Sequence, residues 1–168
     1  MGLTLVYTLA SQVIVWLPCL PVPLSLQPAP LFIAALVFGW PAVIAYGMYL
    51  LEGALGLPVF AGFMGGAARL LGPTGGYLWG FGLAMIFLVF MRRYFFRSAI
   101  KLLPIFAAII CAHLIPFTWG LAQLAWFVPA DKLLETGLYP FIIGDFVLKP
   151  LFVLAGVGLL TVTQKTNT

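Results

Sequence analysis

Few residues in this chain can do polar chemistry, and two of them stand at a suggestive spacing. Asp145 and Lys149 lie four positions apart within PFIIGDFVLK, an otherwise apolar stretch. On a helix that spacing puts both on one face, close enough to pair. One reading is an internal ion pair that locks its own helix. The other is the polar end wall of a pocket, its carboxylate accepting N–H bonds and its ammonium donating to a carbonyl or carboxylate. Arg69 sits inside a glycine-dense stretch from Leu57 to Phe81, reading LPVFAGFMGGAARLLGPTGGYLWGF. Its guanidinium can hold a ligand carboxylate through two parallel hydrogen bonds, or serve as an anchor at a membrane interface. Glu52 is the weakest candidate, since an interfacial salt bridge with Arg69 explains it as well as ligand contact does.

Phe60, Phe63, Tyr77 and Trp79 can form an apolar sleeve around a ring system, as small-molecule pockets are mostly apolar with a few placed polar groups. Taken singly, each also suits the aromatic belt of a membrane interface. His113 has no second metal ligand three or four residues away, so it reads as a structural or interhelical hydrogen-bonding residue. Cys19 and Cys111 are far apart and lack metal or redox spacing. With no phosphate-binding loop, nucleophile elbow or carboxylate pair at catalytic spacing, the sequence offers no catalytic residue, no metal site and no resident cofactor. Nothing in it argues for an enzyme.

The elements that position these groups follow from composition. The chain is 64% hydrophobic and 7% charged, with a mean hydropathy of +1.16, whereas a soluble domain carries about a quarter charged residues. That is too little charge to cover a water-facing surface, so lipid must be the solvent. A helical crossing takes about 20 residues, and the apolar runs are continuous, unlike the alternating segments of about ten residues in a β-barrel. The expected fold is an all-α membrane protein with six transmembrane helices, one integral membrane domain over residues 1–168. No room remains for a water-soluble domain, so any ATP hydrolysis would come from partner chains. The net charge of +4 is not a nucleic-acid signature, because the basic residues are few and gather at one membrane edge. The N-terminus lacks a basic region and a small-residue cleavage site, so Leu3 to Leu17 reads as a retained first helix.

Residues 18–30 hold five prolines and no charge, an extended hairpin-like loop. A short second span covers Leu31 to Phe38 and a third runs from Pro41 to Leu57. The fourth, Gly76 to Met91, repeats small residues at Gly76, Gly80 and Ala84, a face suited to close helix packing. The fifth, Leu102 to Val128, contains Pro104, His113 and Pro116, the last expected to kink it; the sixth covers Leu138 to Val162. Arg92, Arg93, Arg97 and Lys101 are four of the eight Lys and Arg residues, and they lie between the fourth and fifth spans. The excess of basic residues marks that loop as cytoplasmic, so both termini are expected in the cytoplasm, in agreement with Lys165. Glu52, Arg69, Asp145 and Lys149 then share the outward half of the membrane. Charges at such depth usually face the protein interior and mark functional sites. The glycine stretch joins two membrane-length segments, where irregular backbone lies at the interface or lines a cavity. It can be a lid over a small ligand or a tight surface connection.

Three blocks resemble the BioY family, the substrate-binding subunits of energy-coupling-factor biotin transporters. They are PVPLSLQ (Pro21 to Gln27), GLPVFAGFMGG (Gly56 to Gly66) followed by GPTGGYLWGF (Gly72 to Phe81), and PFIIGDFVLK (Pro140 to Lys149), in family order across nearly the whole chain. The resemblance implies six helices in the cell membrane, a biotin pocket open to the outer face, and biotin uptake. It also implies a coupling membrane protein and two cytosolic ATPase subunits as partners, which some members do without. Carried over by position, Asp145 and Lys149 become polar pocket residues, while Gly62, Gly66 and the turn from Thr74 to Tyr77 shape the lid and pocket. The candidate ligand-binding set is thus Asp145, Lys149, Arg69, Phe60, Gly62, Phe63, Gly66, Thr74, Tyr77 and Glu52. Asp145 and Lys149 would hold the ureido head, the aromatics would enclose the rings, and Arg69 would draw the valerate carboxylate. Two features depart from the family pattern: the lysine follows the aspartate by four residues instead of three, and Ala10 is followed at the fourth position by Ile14 where an alanine pair is expected. A subunit for another vitamin and a structural membrane protein without a ligand are the alternatives.

Overall fold

The computed structural model describes residues 2–15, 24–25, 27–95, 102–142, 145 and 149–156. Most of the Pro-rich loop with Cys19, the basic residues Arg97 and Lys101, the end of the sixth span and Lys165 lie outside the described residues. The fold is mostly helical. Helix α1 (Gly2–Gln12) stops short of the expected Leu17 and gives way to a two-residue strand, β1 (Ile14–Val15), paired antiparallel with β2 (Leu24–Ser25). β-branched residues such as Ile14 and Val15 favour extended backbone over helix, and the ladder matches the hairpin reading of the segment that follows.

Helices α2 (Pro28–Phe38) and α3 (Trp40–Ala54) meet at Gly39, whose φ of 71° breaks the path between them. Each starts with proline in its first turn, where the missing N–H costs nothing. Their 11 and 15 residues rise about 16 and 22 Å at 1.5 Å per residue, short of a bilayer core of about 30 Å. The glycine stretch contains a one-turn helix, α4 (Ala67–Leu71), that the glycine density concealed. Helices α5 (Gly75–Phe95) and α6 (Leu102–Leu124) are the two described helices long and apolar enough to cross a membrane. α6 runs without interruption through Pro116, since neighbouring groups in a bundle can satisfy the backbone that proline frees. It ends at Leu124, earlier than expected. The short helix α7 (Leu133–Gly137) and a 3₁₀ turn (Tyr139–Phe141) follow, and residues 149–156 form the last described helical segment.

α5 and α6 make the most extensive contact in the molecule, and the small residues expected on α5 are the reason. A methyl group at Gly80 would strike the Pro116 backbone, and one at Gly76 would strike Trp119 and Gly120. Tyr7, Phe32, Tyr46, Tyr49, Met85 and Ile109 are buried at the centre, where α1, α2, α3, α5 and α6 converge.

Candidate functional site

The outer wall of the site is the loop after α3, and the end of α1 holds it. Phe60 and Met64 exchange backbone hydrogen bonds of 2.9 and 3.2 Å around a tight turn. Gly62 enters that turn at φ 75° and Phe63 at φ 56°, a left-handed value that a bulky residue rarely adopts. The Ser11 hydroxyl donates to the Val59 carbonyl at 2.7 Å, and the Gln12 side-chain amide donates to the Phe60 carbonyl at 2.9 Å. The same amide's oxygen accepts from the Phe63 N–H at 2.9 Å. Gly53 leaves room for the Phe60 ring, which packs edge-on against Tyr49 with centroids 5.5 Å apart. On the far side, the Gln123 amide on α6 donates to the carbonyls of Leu70 and Gly72 at 3.1 and 2.7 Å, fixing the chain between α4 and α5.

The side wall is aromatic. Tyr77 on α5 meets Phe117 on α6 edge-on at 5.8 Å, and Phe141 lies 6.1 Å from Phe117. The Tyr77 hydroxyl donates to the Gly137 carbonyl at 2.8 Å, tying α5 to the end of α7. The third wall carries the ion pair. Asp145 itself has π-helical backbone, a conformation frequent at functional sites. Lys149 Nζ donates to Asp145 Oδ1 at 2.6 Å, and both side chains are about 95% buried, at 4% and 5% relative exposure. Asp145 Oδ2 is buried without a partner.

These walls enclose a cavity of about 600 Å³, within the usual range for small-molecule sites. Asp145, Lys149, Arg69, Phe60, Thr74 and Tyr77 all line it, so six of the ten candidates meet there. Glu52, Gly62, Phe63 and Gly66 are not among the lining residues: Gly62 and Phe63 form the outer turn of the loop, with Phe63 72% exposed. Arg69 contacts the sulfur of Met64, and the Glu52–Arg69 bridge that was the alternative reading of Glu52 is not formed. Sequence reasoning passed over Gln27, Phe81, Phe117, Thr136 and Phe141, which also line the cavity. Gln27 was within a quoted block; its amide donates to the buried Tyr49 hydroxyl at 3.0 Å. The arrangement offers an acidic acceptor beside an ammonium at one place and a guanidinium at another, joined by apolar walls.

A helical fold with a buried ion pair and a guanidinium on one apolar cavity has the make-up of a small-molecule site. The chain belongs to the BioY family, whose sequence model matches residues 1–165. It is 40% identical over 129 residues to the probable biotin transporter BioY of Pyrococcus horikoshii, covering 76% of this chain and 74% of that protein. It is 31% identical over 174 residues to the biotin transporter BioY2 of Lactococcus lactis subsp. cremoris, covering 99% and 93% of the two chains. Its fold is similar to the crystal structure of the S-component for biotin from an ECF-type ABC transporter, with a TM-score of 0.76 and 25% identity over 95% of this chain and 87% of that one. As a member of a transporter family the chain is an integral membrane protein.

Proposed function

We propose that this protein takes up biotin, as the high-affinity substrate-binding subunit of an energy-coupling-factor transporter. It is a transport component and not an enzyme. The observation that carries the reading is the buried Asp145–Lys149 pair on the cavity wall, with Asp145 Oδ2 unspent. An acid oxygen beside an ammonium matches a cyclic urea, which offers N–H donors next to a carbonyl acceptor. The aromatic wall of Tyr77, Phe117 and Phe141 suits the fused rings, and Arg69 suits the carboxylate of the valerate chain.

The protein is a single six-helix domain in the cell membrane with both termini in the cytoplasm and the cavity open to the outer face. A coupling membrane protein and two ATPase subunits supply the energy. The biotin-named relatives and the shared fold support this reading, as does the low charge of the chain. Calorimetric titration of the purified protein with biotin tests it, with tight binding at one site expected. A different vitamin carried through purification, identified by mass spectrometry, would move the reading to a sister subunit. No response to any vitamin would leave a structural membrane protein.

A further inference from the structure

The cavity has two unlike ends, and the three segments that line it agree on which is which. Thr74 just before α5, then Tyr77 and Phe81 on it, line the cavity in turn. Thr74 is exposed, whereas Phe81 abuts the fully buried Phe32. Residues 74 to 81 span a depth of about 10 Å at 1.5 Å per residue. α6 packs antiparallel to α5, with Trp119 and Gly120 beside Gly76 and Pro116 beside Gly80. Phe117 therefore lies deep, and Leu124 lies near the level of Thr74. The last segment descends in the same sense: Thr136 is exposed, Phe141 meets Tyr77 and Phe117, and Asp145 and Lys149 are buried. Arg69 belongs to the shallow end. Its neighbour Leu70 is bonded through its carbonyl to Gln123, next to Leu124, and its own side chain is only half-buried. The space also exceeds one biotin. At the share of about 30 Å³ that a water molecule takes in the liquid, the roughly 16 non-hydrogen atoms of biotin would fill about 480 Å³, an upper bound because bonded atoms lie closer. The cavity holds about 600 Å³.

We propose that the site also accepts amides of biotin, in which the tail carboxyl is joined to an amine. The ring head sits on Asp145 and Lys149, and whatever follows the amide passes out between Thr74 and Thr136. The inference rests on the biotin reading and names a wider ligand class for the same site. The Arg69 guanidinium donates to an amide carbonyl as it does to a carboxylate, but without the charge assistance that makes the latter bond about twice as strong. The loss is therefore taken once, at the carbonyl, and grows no further with what the amine carries.

Competition titrations against biotin on the unaltered protein test this with amides graded by tail: biotin methylamide, biotin joined to the side-chain amine of lysine, and a short peptide carrying that lysine. Each should bind about ten- to a hundredfold more weakly than biotin, and the three should agree within about threefold. A biotin methylated on a ureido nitrogen, altered at the buried end, should lose about a hundredfold or more. A loss that climbs with tail size, passing about tenfold between the methylamide and the peptide, would mean a closed cavity and overturns the proposal. So does failure of the methylamide itself to compete. Tolerance of the methylated head with rejection of the tails would invert the cavity and overturn it equally. Biotin bound with its amides rejected sinks this inference alone, whereas a protein that does not bind biotin at all takes the biotin reading down with it.

Discussion

Asp145 gives one carboxylate oxygen to Lys149, and its other oxygen is buried without a partner among the described residues. Its loss strands a buried ammonium and, in the proposed binding mode, removes a ligand contact, a combination that typically costs about 2–5 kcal/mol. Asp145→Ala should weaken biotin binding at least about tenfold, since about 1.4 kcal/mol is one decade of affinity. A calorimetric titration that returns wild-type affinity would take the residue out of the site. In the proposed binding mode Arg69 has a separate task, reading the carboxylate and not the ring head. In Arg69→Gln the preference for biotin over its methyl ester should collapse, the free acid weakening about tenfold or more while the ester changes little; competition titrations with both ligands check it. Asp145, Lys149 and Arg69 were legible in the sequence because a charge in lipid-length apolar sequence has few other reasons to exist. Gln27 and Thr136 were not, since an uncharged polar residue beside proline or in a five-residue helix carries no such cost. His113 was read as structural from the absence of a nearby second ligand, and the fold sets its ring against Phe32 with Nδ1 on the Ile109 carbonyl.

At the scale of elements, the contact between α1 and the loop after α3 holds one wall of the site in place. Ser11 and Gln12 make three hydrogen bonds of 2.7–2.9 Å with Val59, Phe60 and Phe63. Each bond contributes about 0.5–1.5 kcal/mol, and those from Gln12 bracket the strained turn at Phe63. With Gln12→Ala the turn loses both clamps, so bound biotin should dissociate about five- to tenfold faster with a smaller change in association. Stopped-flow displacement of labelled biotin measures both rates; an unchanged dissociation rate would mean that this loop does not gate the exit. Such a clamp could not be read in advance, because its partners are 48 and 51 residues apart and serine or glutamine near a helix end is ordinary. The α5–α6 contact was legible, because small residues every fourth position leave few options but close approach. The spacing of Asp145 and Lys149 shows the middle case. Four residues suggested a shared face, and the 2.6 Å bond between them bears that out, while the π-helical backbone at Asp145 depends on packing that no spacing rule contains.

At the scale of the molecule, the cavity and the exposed polar residues Asp131, Lys132 and Glu135 lie at one end, because Val128, Thr136 and Gly137 flank those residues and line the cavity. The Arg92–Lys101 stretch at the other end of α5 carries half the chain's Lys and Arg residues, and basic loops stay in the cytoplasm. Orientation and pocket access are therefore one question. In a background with Cys19 and Cys111 replaced, Glu135→Cys should react with an impermeant maleimide in intact cells, whereas Gly2→Cys at the start of α1 should react only after permeabilisation. Thr136→Cys adds the pocket to the same experiment. Both residues are exposed, but Thr136 lines the cavity and Lys132 does not, so saturating biotin should slow labelling at position 136 severalfold and leave Lys132→Cys unchanged. Labelling of Gly2→Cys from outside would invert the molecule and turn the cavity toward the cytoplasm, where a ligand grip of this kind would serve release and not capture. Equal biotin protection at both loop positions would mean that the loop as a whole closes over the ligand, and no protection at either would place the ligand elsewhere.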